Sequence, residues 1–224
     1  NSDGFLDLYV GSAGYELKPE DDLLIDRIYM NDGRATFIKS EVNEPYFFGN
    51  TTSVAAKDYD NDGSTDLFVG GGPKPGKYPF STSSRVLKNV NGKLVDVTNS
   101  VAPFLKDIGV VNDATWSDYN QDGKPDIILA GDWIPVTILK NKGRKFENAT
   151  AKSGLATATG FWQAISPIDI DNDGDVDYVV GNAGTNTRLQ ASINQPIRTY
   201  VADFDGNGTV DPLLTYYIQG KESL

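Results

Sequence analysis

A nine-residue acidic motif recurs along the chain and constrains its fold more than any other feature. The motif reads D-x-D-x-D-G-x-x-D, and two of its complete copies carry Asn in place of one Asp. Complete copies occupy residues 58–66, 118–126, 169–177 and 203–211, and residues 1–7 match a fifth copy that lacks its first two positions. The complete copies start 60, 51 and 34 residues apart, which indicates a repeat architecture with room for about four strands in a full unit.

A short apolar run follows each of the first four copies and ends at a small residue. These runs are Leu8–Gly11, Leu67–Gly70, Ile127–Gly131 and Tyr178–Gly181. They are too short for helices, and they are rich in β-branched and aromatic residues and bounded by Gly. Such runs are typical of buried strands.

A second kind of apolar run in each of the first three units precedes a turn signal that contains Asn and Gly. These runs are Ile28–Met30, Val86–Lys88 and Val136–Leu139. Each predicts a β-hairpin. No amphipathic helix of normal length is evident, so the sequence predicts an all-β chain of four-stranded antiparallel units.

The spacing of the motif also predicts how the chain is organised. We expect a single domain over residues 1–224, divided into repeats at roughly 1–50, 51–110, 111–162 and 163–224. The interval of 34 residues between the last two copies is too short for a full unit. Because the chain starts at Asn1, inside the first copy, we expect it to be a fragment of a longer protein.

The acidic motif has the ligand pattern of a calcium loop. Acidic or amide side chains at positions 1, 3 and 5 converge when a loop curls around a centre, and Gly at position 6 permits the sharp turn. Oxygen ligands select a hard cation, and Ca²⁺ accepts a more flexible shell than Mg²⁺ does. Position 7 varies freely, as expected for a backbone carbonyl ligand. Position 9 is always Asp and supplies the closing ligand.

Two other interpretations of the motif compete with a calcium loop. An EF-hand needs Glu at position 12, but position 12 is apolar in every complete copy, so the EF-hand is excluded. Asp, Asn and Gly are also ordinary turn formers. Four complete copies favour metal binding, because so many carboxylates at close range repel one another without a cation.

The sequence therefore predicts bound Ca²⁺ and names a full set of ligands. The predicted metal ligands are Asn1, Asp3, Phe5 and Asp7 in the first copy; Asp58, Asp60, Asp62, Ser64 and Asp66 in the second; Asp118, Asn120, Asp122, Lys124 and Asp126 in the third; Asp169, Asp171, Asp173, Asp175 and Asp177 in the fourth; and Asp203, Asp205, Asn207, Thr209 and Asp211 in the fifth.

Composition excludes several classes of function. The formal net charge is −11, which disfavours nucleic acid as a partner because that binding depends on Lys and Arg. The chain has no His and no Cys, so imidazole bases, Ser-His-Asp triads and thiolate metal sites are excluded. No run of apolar residues is long enough to span the membrane as a helix. We expect that the chain is not an enzyme.

Together these residues resemble the FG-GAP or VCBS-type repeats of integrin α-subunit propellers and bacterial surface proteins. Phe48-Gly49, the loop Asp58 to Asp66, the strand Leu67–Val69 and the segment Gly70–Pro73 carry the pattern in order. The other units keep the loop and strand but lose the FG or GAP spelling. The resemblance implies a β-propeller, seven-bladed in most of the family, of which about four blades are present here. It also implies calcium loops on one face and ligand-binding loops on the other.

From this resemblance we expect a secreted or cell-surface module that binds a protein or glycan ligand, with calcium in a structural role. Candidate contact loops are the inserts Ser12 to Asp22, Pro73 to Ser84 and Asn182 to Asn194. One alternative is a carbohydrate-active enzyme or lectin that uses Trp116, Trp133 or Trp162 against sugar rings, although each lies beside a strand and packing is the simpler interpretation. Another is a purely structural or assembly role.

Overall fold

The chain is built almost entirely of β-strands. The computed structural model describes residues 3–41, 46–184, 187–189 and 191–224, so the predicted ligand Asn1 lies outside the described residues. The helical elements in this part are short and include one turn of α-helix, α1 (Thr98–Val101), and the 3-10 helices Asp22–Leu24 and Pro103–Asp107. The described strands pair antiparallel. The all-β prediction is confirmed.

The first sheet is formed by three strands in sequence order. They are β1 (Leu8–Val10), β2 (Arg27–Asn31) and β3 (Phe37–Lys39). The predicted strand after the first acidic copy and the predicted hairpin around residues 31–33 are both confirmed. The predicted burial of that strand is wrong, because Leu8 is 46% exposed and no residue of β1 is buried.

The second sheet has four strands and follows the same order. They are β4 (Thr51–Lys57), β5 (Asp66–Gly71), β6 (Arg85–Val90) and β7 (Lys93–Asp96). Every residue of β5 is buried, as the apolar run predicted. The β6–β7 turn consists of Asn91 and Gly92 with φ of 53° and 81°, the left-handed pair that a tight hairpin requires.

The third sheet extends the pattern by two further strands. Its first four strands are β8 (Val110–Ser117), β9 (Asp126–Pro135), β10 (Thr137–Asn141) and β11 (Phe146–Asn148). The end of β9 also pairs with β12 (Thr159–Ile168), which pairs with β13 (Asp177–Asn182). The strand β9 runs for 10 residues, so both β8 and β12 can pair with it along different parts of its length.

The last sheet contains β14 (Arg198–Ala202), β15 (Asp211–Ile218) and β16 (Lys221–Ser223). Residues 163–224 therefore contribute to two sheets. Residues 110 and 162, where the predicted repeats meet, lie within β8 and β12. The division into four repeats remains a prediction.

The main core lies where the second and third sheets pack together. It contains the fully buried Phe68, Val86, Ile127, Leu129 and Leu139. Each of these side chains contributes about 1.5–3 kcal/mol through burial of apolar surface.

An aromatic group extends the same core. The Trp116 ring stacks on Tyr59 with centroids 6.1 Å apart and contacts Phe146 at 6.0 Å. The Trp116 indole N–H donates to the Ala55 carbonyl at 2.9 Å. These contacts support the packing interpretation of Trp116 rather than sugar binding. Among the described residues, no helix has the length and apolar character needed to cross a membrane.

Candidate metal loops and the opposite end of the sheets

The acidic copies form loops that lead directly into strands. We call them loop 1 (described residues 3–7), loop 2 (58–66), loop 3 (118–126), loop 4 (169–177) and loop 5 (203–211). Loops 2 to 5 each join the first and second strands of an antiparallel pair, β4–β5, β8–β9, β12–β13 and β14–β15. The Asp at position 9 is the first residue of the second strand in all four. The loops consequently occupy equivalent places in the repeat.

Hydrogen bonds inside the loops curl each one around its first Asp. In loop 2, Asp58 accepts from the backbone N–H groups of Asp62 at 3.1 Å and Gly63 at 2.8 Å. Loops 3 and 5 repeat both bonds, and loop 4 repeats the bond from Gly174. This curl turns the side chains at positions 1, 3 and 5 toward one another.

Two positions of each loop adopt left-handed backbone. The Gly at position 6 has φ between 80° and 94° in loops 2 to 5, as its sharp turn predicted. Position 4 is also left-handed, with φ of 59° at Asn61, 55° at Gln121, 61° at Asn172 and 72° at Gly206. The sequence analysis missed position 4, although Asn and Gly are the residues that tolerate this conformation best.

The structure brings many of the predicted carboxylates together. Within 4.8 Å of one another lie ligand oxygens of three groups: Asp58, Asp60 and Asp62; Asp169, Asp171 and Asp177; and Asp203, Asp205 and Asp211. In loop 3, Asn120 instead donates to Asp126 at 2.7 Å, and Asp118, Asp122 and Asp126 do not form such a group. Loops 2, 4 and 5 therefore have the more convergent oxygens.

The variable position 7 contacts position 5 through its backbone. The N–H groups of Phe5, Ser64, Lys124, Asp175 and Thr209 donate to the side chains of Asp3, Asp62, Asp122, Asp173 and Asn207. Because this contact uses main-chain atoms, five different side chains are tolerated there. The assignment of the position 7 carbonyl as a ligand remains a prediction.

An Asn that sequence analysis did not single out anchors position 9 in the first three sheets. The backbone N–H groups of Asn31, Asn89 and Asn141 donate to Asp7, Asp66 and Asp126 at 2.9, 2.8 and 2.6 Å. Each Asn side chain also accepts from the Gly of the following turn. The recurring Asn before a turn Gly was the available signal. We call these three residues the anchor asparagines.

Burial makes the position 9 carboxylates of loops 2 and 3 unusual. Asp66 and Asp126 are 0% exposed, and burial raises the pKa of each to about 6. In loop 4, the neighbouring carboxylate of Asp173 raises the pKa of Asp175. Each of these environments disfavours negative charge unless a cation is present.

Loop 2 provides a direct test of whether a cation fits. The Oδ1 atom of Asp60 is buried and has no hydrogen-bond partner, and the Asp60 carboxylate belongs to the group formed with Asp58 and Asp62. Buried carboxylate oxygens are rarely left without a partner. An oxygen-bound cation such as Ca²⁺ suits this donor set.

A second group of polar and aromatic residues lies at the other end of the sheet. Asp132 and Trp133 stand near the end of β9, about 20 Å along the strand from Asp126. Asp132 accepts from Tyr78 at 3.3 Å, Asn112 at 2.8 Å and Gln163 at 3.0 Å. We call these residues, with Phe161, the Trp133 surface.

Trp133 itself is held in a strained conformation. Its φ is 64°, which is uncommon for a bulky residue and is a feature often found at functional sites. Its indole N–H donates to Tyr78 at 2.8 Å, and its ring packs edge-on against Phe161 at 4.7 Å. Burial raises the pKa of Tyr78 to about 12, so its hydroxyl keeps its proton. Tyr78 belongs to the predicted insert Pro73 to Ser84, which this network ties to Trp133.

The other predicted contact residues are less clearly placed in one surface. Ser12, at the start of the insert Ser12 to Asp22, is buried. Thr185, Asn186 and Gln190 of the insert Asn182 to Asn194 lie outside the described residues. The Trp162 indole N–H donates to the Ala158 carbonyl at 2.8 Å, and its ring packs on a small core cluster. Among the three tryptophans, Trp133 is the one whose indole N–H is bonded to a predicted contact insert, through Tyr78.

Comparison with known proteins agrees with the repeat pattern. A family described as FG-GAP-like repeat matches residues 1–69 and 118–180, which include loops 1 to 4. The chain is also similar to T-cell immunomodulatory protein of Rattus norvegicus, with 25% identity over 232 residues. That alignment covers 96% of this chain and 36% of the relative, so the chain spans about a third of the relative's length.

Proposed function

The chain belongs to the FG-GAP-like repeat family, and from this membership we propose that it is part of an extracellular or cell-surface β-propeller that binds a protein or glycan ligand. Calcium ions in the acidic loops have a structural role, and the chain is not an enzyme. The sheets are blades of a propeller that, as in most of the family, has seven blades in its complete ring.

The calcium assignment depends on one observation above all. Asp60 carries a buried oxygen without a partner, inside a loop whose carboxylates converge. The same loop structure recurs in loops 3 to 5, with the same hydrogen bonds from position 7 to position 5. Ca²⁺ bound to these oxygens would neutralise each cluster and fix the start of each second strand.

The ligand assignment depends on the two ends of the sheet being different. The acidic loops lie at the start of β9, and the Trp133 surface lies near its far end. An aromatic ring with adjacent amide and carboxylate groups offers both stacking and hydrogen bonds to a glycan or a protein side chain. Loops held by metal at one end would keep the strands that present this surface rigid.

A non-enzymatic role follows from how the acidic groups are used. The clustered carboxylates are assigned to metal, and a carboxylate bound to metal is a poor general acid. Asp132, outside the loops, accepts three hydrogen bonds from neutral side chains. Glycoside hydrolysis requires a pair of carboxyl groups across the substrate. A lectin-like use of Trp133 fits these contacts better than hydrolysis.

The calcium assignment predicts which substitutions weaken metal binding. We expect Asp177→Ala to lower calcium affinity at loop 4 by at least about tenfold, because Ca²⁺ depends on the number of charged ligands. Asp66→Ala should have a similar effect at loop 2. Lys124→Ala should leave affinity unchanged or slightly higher, because only its carbonyl is a ligand. Isothermal titration calorimetry measures all three, and equal losses for Asp177→Ala and Lys124→Ala would contradict the ligand assignment.

The ligand assignment predicts that Trp133→Ala weakens ligand binding without unfolding the chain. The labelled protein would be applied with calcium to arrays of immobilised glycans and of extracellular matrix proteins. We expect binding to members of one array, reduced at least about tenfold by Trp133→Ala. Phe37→Ala is the matched control, because Phe37 is an aromatic residue 46% exposed on the edge strand β3. Equal binding by the two variants would place the contact surface elsewhere.

A further inference from the structure

Two lysines reach into the acidic loops from equivalent places in successive sheets. The Lys88 ammonium contacts a carboxylate oxygen of Asp60 and lies 3.0 Å from Asp62 in loop 2. The Lys140 ammonium lies 3.1 Å from Asp122 in loop 3. Each lysine therefore sits on side chains that are predicted metal ligands.

The position of these lysines is set by the anchor asparagines. Lys88 directly precedes Asn89, and Lys140 directly precedes Asn141. The N–H groups of these asparagines are hydrogen-bonded to Asp66 and Asp126, which fixes the register of β6 and β10 beside the loops. The two lysine side chains are only 25% and 26% exposed. Their place beside the carboxylates is a repeated feature of the fold.

Loops 4 and 5 differ in this respect. Within the ranges that the structure describes, no lysine or arginine forms an ion pair with residues 169–177 or 203–211. In the first sheet, the residue before the anchor Asn31 is Met30, which carries no charge. A lysine at this position is thus a property of the second and third sheets, and the repeat also accepts an apolar side chain there.

We propose that Lys88 and Lys140 act as built-in counter-cations that make loops 2 and 3 weaker calcium sites than loops 4 and 5. This inference depends on the proposed calcium function. A lysine ammonium and Ca²⁺ compete for the same oxygens, since Ca²⁺ binds carboxylates at about 2.3–2.6 Å and would replace the ammonium there. The lysine must withdraw before the loop takes the metal, and the two cations then repel each other.

The consequence is a graded response to calcium. Loops 4 and 5 fill first as calcium rises, and loops 2 and 3 fill at higher concentration. In the metal-free protein, the lysines keep loops 2 and 3 folded by balancing part of their negative charge. The well-packed centre of the chain would then hold its shape when calcium is scarce, while the later sheets depend on the metal.

The test measures calcium binding to lysine variants of the whole chain. Asp169→Ala and Asp203→Ala together weaken loops 4 and 5, so that loops 2 and 3 can be titrated by calorimetry against this background. We expect Lys88→Met to raise the calcium affinity of one site at least about tenfold, and Lys140→Met to do the same for a second site. Met is a suitable substitute because the first sheet carries Met30 at this position.

Two controls isolate the effect of charge at the loop. Lys93→Met removes one positive charge from an exposed position of β7 and should leave calcium affinity unchanged. Lys88→Arg keeps a cation beside Asp60 and should keep the affinity low. If Lys88→Met and Lys93→Met bind calcium alike, the inference is overturned and the calcium function stands. If the unmodified chain binds no calcium, the proposed function fails first.

Thermal unfolding gives a second readout that a simple packing role would not produce. In excess chelator, Lys88→Met should melt at a lower temperature than the unmodified chain, because Asp60 and Asp62 lose their counter-charge. In saturating calcium this difference should vanish or reverse. A variant that is destabilised equally under both conditions would show that Lys88 contributes only to packing and would overturn the inference.

Discussion

Removing calcium with excess chelator is expected to lower the melting temperature of the chain by about 10–20 °C. A site filled at about 100 times its dissociation constant stabilises the folded state by about 2.7 kcal/mol. Two such sites contribute about 5 kcal/mol, and each kcal/mol shifts the melting temperature of a domain of this size by about 2–4 °C. The effect is expected because the carboxylates of loops 4 and 5 converge within 4.8 Å and repel one another without a cation.

The measurement combines calorimetric unfolding with an ion count. The chain is melted in chelator, calcium is titrated back, and native mass spectrometry counts the bound ions at each step. Magnesium at the same concentration is the control, and we expect a smaller shift because Mg²⁺ demands near-octahedral geometry. An unchanged melting temperature with no bound ion would mean that the acidic copies are only turns, the alternative that their Asp, Asn and Gly content left open.

Much of this architecture could be predicted because its signals are local in sequence. A Gly at position 6 and an Asp at position 9 mark where each loop ends and each second strand begins, and both fall where the spacing placed them. Two of the apolar runs after the loops became buried strands, in β5 and β9, for the same reason. The runs in β1 and β13 form strands as predicted but are partly exposed, because burial depends on which sheets pack against each face. Each of these inferences concerns residues within about ten positions of one another, where turn chemistry and strand periodicity decide the structure.

The contacts that join distant segments could not be predicted in this way. Asn89 lies 23 residues after Asp66, and nothing in the spacing of the acidic motif indicates that their backbone and side chain meet. The pairing of β12 with the end of β9 depends on how two sheets approach, which the residue pattern of either strand does not specify. Lys88 and Lys140, which contact loops 2 and 3, come from the third strand of each sheet. Their contacts with the loops could therefore not be predicted from the spacing of the motif either.

Asp26 is another residue whose contacts join segments that are distant in sequence, and it links the first sheet to the second. Its carboxylate accepts from the Ser12 N–H, the Tyr9 hydroxyl and the Thr51 hydroxyl, each at 2.7 Å. Thr51 begins β4, so the bond from its hydroxyl crosses between the sheets. Asp26 is 0% exposed, and burial raises its pKa even though the three hydrogen bonds act in the opposite direction.

The second sheet contains a related contact at the matching place. Ser84 stands before β6 as Asp26 stands before β2, and its hydroxyl accepts from the Gly71 N–H at 3.0 Å. Both residues satisfy a backbone donor at or just beyond the end of the strand that follows the acidic loop, Ser12 after β1 and Gly71 at the end of β5. The Asp26 carboxylate accepts two further hydrogen bonds, from the hydroxyls of Tyr9 and Thr51. Asp26 therefore extends a contact that recurs in the second sheet, and we expect its contribution to stability to be independent of metal.

Asp26→Ala is accordingly expected to destabilise the chain by about 3–5 kcal/mol, with or without calcium. The substitution leaves three donors without an acceptor in a buried place, and each unsatisfied donor costs about 1–3 kcal/mol. Urea unfolding followed by circular dichroism measures the loss. Asp32→Ala is the matched control, because Asp32 accepts backbone N–H groups only in an exposed turn and its loss should cost less than about 1 kcal/mol.

Asp26→Asn separates charge from hydrogen bonding at the same site. Asn keeps one acceptor oxygen, so it should retain part of the network and lose less stability than Ala does. A loss for Asp26→Ala that is no larger than for Asp32→Ala would mean that the sheets are held together by apolar packing alone. A loss that disappears in saturating calcium would mean that the junction is secured by the metal loops. The expected result, a large loss under both conditions, makes Asp26 and the calcium loops independent supports of the same fold.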